Sequence, residues 1–203
     1  MKTEKKYLSA HERRAATVQT VVDLAGEQNP SDITTSAIAE RMGLTQGALF
    51  RHFPTKEAIL KAVIEWVAEH LISRIEVAAA ANPSPKAALR AMFSSHIEFV
   101  SKHPGMPRLL FGELQRTEMT GPKIVVRGLM VHYRQLLGAL FKDGKACGEL
   151  DCDLNEDAAA ALFLGTIQGL VMQSLLAPEK DWIKRNADAV YAVFERGIER
   201  REP

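Results

Sequence analysis

Residues 33–53 read ITTSAIAERMGLTQGALFRHF, two short helical patterns on either side of a glycine. Thr35 stands where an N-cap is needed, its hydroxyl able to accept from the free amides that open a helix through Ile38, Ala39 and Met42. Gly43 supplies the left-handed residue that stops this helix. Thr45 then caps a second helix carrying Gln46, Gly47, Ala48, Leu49, Phe50, Arg51 and His52. So short a turn makes the two helices cross steeply, as in a helix-turn-helix. Ile38, Met42, Leu44 and Leu49 are the expected core of the pair, and Ala39 has almost no side chain to keep the second helix away.

Left facing outward on the second helix are Thr45, Gln46, Gly47, Phe50 and Arg51. Hydroxyl, amide and guanidinium groups are the ones that meet phosphates and base edges in a major groove. Double-stranded DNA is therefore the expected partner.

Continued through Phe53-Pro54-Thr55-Lys56-Glu57, with one long amphipathic helix before it and another after, the segment resembles the DNA-binding domain of the TetR family of bacterial transcriptional regulators. The G-L-T-x-G-x-L-F-R-H-F-x-x-K-E run, residues 43–57, is its specific part. The likeness covers roughly the first third of the chain, and the remainder is similar only in length and helical texture. The resemblance places Thr45, Gln46, Gly47 and Arg51 in or at the rim of the groove. It sets Thr35, His52, Thr55 and Lys56 on the phosphate backbone, helped by the amides that open the next helix. Where the family usually carries a tyrosine whose phenol reaches a phosphate, Phe50 keeps the ring and lacks the hydroxyl.

Composition bounds the rest. A chain of 203 residues, 46% hydrophobic, can build one helical body with a small attached module. A net charge of +1 excludes a protein that coats nucleic acid by bulk attraction, so any DNA contact must come from local clustering. Lys2, Lys5, Lys6, Arg13 and Arg14 outnumber Glu4 and Glu12 at the start, which suits an arm near phosphates or equally a solubilising tail. The N-terminus is polar where a secretory signal needs an apolar run, and the longest apolar run, 158–171, is short for a bilayer, so a cytoplasmic protein is expected. Cys147 and Cys152 fall within KACGELDCD and are expected to be free thiols.

Helical texture runs almost throughout, without strand alternation or hairpin dipeptides, so the expected fold class is all-α. Ser9 caps a first helix reaching Ala25 or Gly26, and Thr55 caps a long one continuing towards Ala81. Asn82-Pro83-Ser84-Pro85 is the clearest boundary. The expected organisation is a three-helix DNA-binding domain at 1–54, a connecting helix at 55–82 that acts as a lever, and a helical effector-binding and dimerisation domain at 83–203. Further helices are expected over 86–102, 107–116, 122–147, 155–176 and 181–200.

Ala161, Gly165 and Gly169 share one helix face at i, i+4 spacing, with Met172 beside them, so that another backbone can come close. Ile183, Ala187, Val190 and Phe194 on the last helix are the expected partner face, and the resemblance implies a four-helix bundle with a second copy. A homodimer also suits a palindromic operator read in successive grooves. Phe93, Ile97, Val100, Leu110, Phe111, Leu114, Met130, Tyr133 and Leu137 are candidates to line a pocket for a small hydrophobic effector, with His96 and Gln168 orienting it. No cofactor, metal or catalytic group is expected: His96, His103, Glu98 and Glu113 lack a paired metal motif, and there is no nucleophile elbow or phosphate-binding glycine loop. The resulting expectation is a DNA-binding transcriptional regulator, a repressor in preference to an activator. The competing reading is a helical ligand- or metal-binding protein whose helix-turn-helix is idle.

Overall fold

The structure, a computed structural model, describes residues 9–177, 179 and 181–200. Lys2, Glu4, Lys5 and Lys6 lie outside the described residues. Among the described residues the chain is all-helical, with a lone antiparallel bridge between Leu150 and Glu199. The α-helices are α1 (Ala10–Glu27), α2 (Thr35–Arg41), α3 (Gln46–Phe50), α4 (Lys56–Ala80), α5 (Pro85–Lys102), α6 (Gly105–Leu114), α7 (Gly121–Ala146), α8 (Glu156–Leu176) and α9 (Trp182–Ile198).

Local chemistry explains most of the starts. Ser9 and Glu12 close a capping box on α1, the Ser9 amide donating to Glu12 Oε2 at 2.7 Å and the Glu12 amide to Ser9 Oγ at 3.2 Å. Asn155 caps α8 through Ala158 N–H at 2.9 Å, and Thr55 caps α4 through Ala58 N–H at 3.0 Å. One cap differs from expectation. Thr34, not Thr35, holds the N-cap of α2, its Oγ1 accepting from Ala37 N–H at 3.1 Å. Thr34 alone of the two has the extended backbone a cap requires, with φ −92° and ψ 162°. Two adjacent threonines are equivalent in sequence pattern, and only the backbone angle separates them.

The chain forms two compact units: the residues up to Val67 with His103–Val126, and Ala68–Lys102 with the residues from Arg127 onwards. In the first, Val21, Val22, Ile38, Leu49, Phe53 and Ile59 are buried together with Met106 and Leu109 of α6. The segment 103–126, placed by the sequence reading with the C-terminal part, therefore packs with the helix-turn-helix. Gly105 is the reason α6 can lie so close to α1: a Cβ there would fall on the carbonyl oxygen of Ala25.

In the second unit α8 and α9 pack on each other and on α5. Its core is aromatic: Phe93 meets Tyr191 at 4.8 Å and Phe163 at 5.8 Å between centroids, and Phe163 meets Phe194 at 5.5 Å. By length and composition α8 would suffice to cross a membrane, being 21 residues long and continuing past the apolar run at 158–171 to Leu176. Its Ala159, Phe163, Leu164, Ile167 and Leu170 are instead buried, as in the core helix of a globular unit.

Candidate nucleic-acid interface

The turn between α2 and α3 has the expected form. Gly43 sits at φ +63°, a conformation that costs a residue with a Cβ about 1 kcal/mol or more, and its N–H donates to Glu40 O at 2.9 Å. Thr45 Oγ1 accepts from Ala48 N–H at 3.2 Å and starts α3. Leu49 and Phe53, 1% and 0% exposed, anchor one side of the segment. Thr45, Gln46, Gly47, Phe50 and Arg51 are all exposed on the other, Phe50 at 40%. The helix is shorter than expected, ending at Phe50 with Arg51 as C-cap and His52 half-buried in the turn beyond.

Side chains outside the motif hold this row in place. Arg14 Nη1 donates to His52 O at 2.6 Å, and its guanidinium lies 4.2 Å above the Phe53 ring. Arg14 thus braces the end of α3, a role that the charge count at the N-terminus could not separate from a phosphate contact. Arg41 donates to both carboxylate oxygens of Glu27, at 3.2 and 2.5 Å, tying α2 to the end of α1. That bidentate contact holds the Glu27 carboxyl below the usual glutamate range. Gln46 Nε2 donates to Ser36 Oγ and, at 3.4 Å, to Thr35 Oγ1, so Thr35 faces the recognition helix. Thr55 and Lys56 are exposed at the start of α4.

The other expected sites are distributed differently. Phe93, Ile97, Tyr133 and Leu137 are buried in the second unit, and His96 Nδ1 lies 3.4 Å from the Tyr133 hydroxyl. Val100 and Met130 are partly buried there, whereas Gln168 is exposed on α8. Leu110, Phe111 and Leu114 belong to α6 in the first unit, Leu114 being 43% exposed. One expected pocket lining is thus divided between two cores, because helical periodicity marks an inward face without naming the core it enters.

On α8 the small-residue face is open: Ala161 and Gly165 are exposed, Met172 is 46% and Leu162 55% exposed, and a Cβ on Gly165 or Gly169 would meet nothing within 4 Å. The expected face of α9 is turned the other way. Ile183, Ala187 and Phe194 are buried within the unit and Val190 partly so, while Val193 is the large apolar residue of α9 that stands exposed, at 62%. The i, i+4, i+7 stripe read on α9 is its intramolecular face. Cys147 and Cys152 are free and exposed.

A short helix with an exposed polar row, steadied from behind and preceded by a glycine turn, defines a helix-turn-helix DNA-binding protein. Comparison with known proteins agrees. Residues 18–63 match the profile for bacterial regulatory proteins of the tetR family, and residues 66–197 match that for the C-terminal region of YsiA-like proteins. The nucleoid occlusion factor SlmA of Haemophilus ducreyi is 30% identical over 150 residues, 68% of this chain and 74% of that protein. The SlmA of Vibrio cholerae is 25% identical over 187 residues, 92% of this chain and 95% of that one. Among solved structures, the transcriptional regulator FadR from Bacillus subtilis in complex with stearoyl-CoA superposes with a TM-score of 0.78 at 19% identity, covering 91% of this chain and 99% of that chain. The chain belongs to the TetR family and is a DNA-binding regulator of that family.

Proposed function

We propose that the protein is a homodimeric transcriptional repressor that binds a palindromic operator and is released by a small hydrophobic effector. The observation that carries the DNA part is the exposed row Thr45, Gln46, Gly47 and Arg51 on α3. These residues would meet base edges, while Thr35, His52, Thr55 and Lys56 would hold phosphates and Phe50 would pack its ring against the backbone sugars. With net charge near zero, a single head lacks the affinity a regulator needs, and the open face of α8 at Ala161, Leu162, Gly165 and Gly169 supports pairing with a second copy.

The stearoyl-CoA in the FadR structure supports an effector with a long apolar portion. It would enter the second unit among Phe93, His96, Ile97, Met130 and Tyr133, displacing aromatic contacts that now fill the space. A DNA partner would suit a cytoplasmic protein. Selection from random duplex DNA tests the reading: the expected result is a palindrome of two half-sites about one or one and a half turns apart. No enriched sequence at low salt would sink it.

The SlmA relatives favour a second reading, in which the same head binds the chromosome in nucleoid occlusion rather than at promoters. Mapping of bound sites in cells separates the two. A few sites at promoters support the repressor, and many dispersed sites support the second reading.

A further inference from the structure

The first unit carries a half-open cavity of about 370 Å³ whose lining residues all belong to that unit. Val21, Ile33, Ile38, Ile59, Leu60 and Leu109 make its walls apolar. Lys56, Glu57 and Arg116 also line it, but all three are exposed and their charges are solvated. Glu113 differs from them. It lines the same cavity and is only 5% exposed.

An ionised carboxylate offers two oxygens and about four acceptor positions. Glu113 Oε1 accepts from the hydroxyl of Thr120, itself buried, and Glu113 Oε2 stands 3.8 Å from Arg116 Nη1, an ion pair without hydrogen-bond contact. These two contacts leave acceptor positions of the carboxylate open to a further donor. An apolar cavity with a carboxylate on its wall complements a compact apolar body bearing an ammonium group. Its volume also falls within the roughly 300–1,000 Å³ usual for small-molecule sites.

We propose that this cavity binds a small apolar amine, its ammonium donating to Glu113 while its body lies against Ile33, Ile38 and Leu109. The occupant would touch α2 of the helix-turn-helix and α6 at once. This site is separate from the effector site proposed for the second unit, and its test does not depend on DNA binding.

Calorimetric titration of the full chain with 2-phenylethylamine, and separately with the isosteric 2-phenylethanol, tests the proposal. The expected result is saturable binding of one amine per chain, at least tenfold tighter than the alcohol. Glu113→Gln keeps an acceptor for Thr120 and removes the charge, and is expected to bring amine and alcohol to equal affinity. Gly112→Phe places a large side chain on an exposed glycine that lines the cavity and has open space at its Cβ, and is expected to block both. It carries the test if Glu113→Gln does not fold, as judged by circular dichroism. Absence of saturable amine binding, equal affinity for amine and alcohol, or amine binding unchanged in the folded variants would overturn the proposal.

Discussion

The recognition segment and the second unit are both helical, yet they place their chemistry on opposite sides. Between Thr45 and Arg51 the functional groups point to solvent and the apolar residues Leu49 and Phe53 serve only as anchors. In the second unit the candidate groups Phe93 and Tyr133 are interior, with His96 part-buried against Tyr133, and α8 turns Ala161, Leu162, Gly165 and Met172 to solvent. The difference shows why a surface-reading motif can be assigned to residues while a ligand site among core helices cannot. In the first case packing and function use different side chains, and in the second they use the same ones.

The strongest way to break the comparison is to remove the outward chemistry alone. Gln46→Ala with Arg51→Ala should weaken binding to the selected operator by at least about 100-fold, taking about 1–3 kcal/mol per lost base or phosphate contact. Melting temperature should hold, since both residues are exposed. Fluorescence anisotropy with labelled duplex measures the first and calorimetry the second. An affinity within threefold of the parent would mean that this row is not the reading surface.

The inward side can be probed by pH. Burial pushes His96 down from 6.5 to about 4. Below pH 6.5 the unfolded chain gains a proton that the folded chain refuses until near pH 4, so this contribution is complete above 6.5 and is lost progressively as pH falls towards 4. The loss should be on the order of 3 kcal/mol. Carboxylates add their own acid sensitivity, so the readout is the difference between parent and His96→Gln in urea unfolding between pH 7 and pH 4. Parallel curves would show that His96 is solvated in the folded state.

A third test compares two glycines on α6. Gly105→Ala drives a methyl into the Ala25 carbonyl and should cost about 1–3 kcal/mol. Gly112→Ala meets nothing within 4 Å and should be neutral or stabilising by up to about 1 kcal/mol. Urea midpoints measure both, and equal shifts would mean that α6 does not press on α1 at Gly105.

These contrasts follow what the sequence made legible. The Gly43 turn, the Thr45 cap and the outward row were readable because each depends on neighbours within a few residues. The Arg14 brace on His52 spans 38 positions and the seat of Gly105 on Ala25 spans 80, and nothing local announces either. On α9 the stripe Ile183, Ala187, Val190 and Phe194 reads in sequence as a face for a second copy and is buried within its own unit, because periodicity is the same whether a face meets its own subunit or another. Leu110, Phe111 and Leu114 read as effector-pocket lining for the same reason, since an apolar stripe does not say which core it enters.

The smallest effect isolates the one local feature that sequence could not decide. Thr34 and Thr35 are adjacent, and only Thr34 has extended backbone and a hydroxyl accepting from an amide of α2. Thr34→Ala should therefore cost about 1 kcal/mol in urea unfolding, the usual loss of a threonine cap. Thr35→Ala should leave stability within about 0.5 kcal/mol, as for a surface site. Its hydroxyl instead lies 3.4 Å from Gln46 Nε2, beside the contact of Gln46 to Ser36. If Thr35 also grips a phosphate, its alanine variant should lose operator affinity severalfold at unchanged stability. The reverse pattern, stability lost at Thr35 and kept at Thr34, would restore the cap to Thr35 and turn its side chain away from the groove.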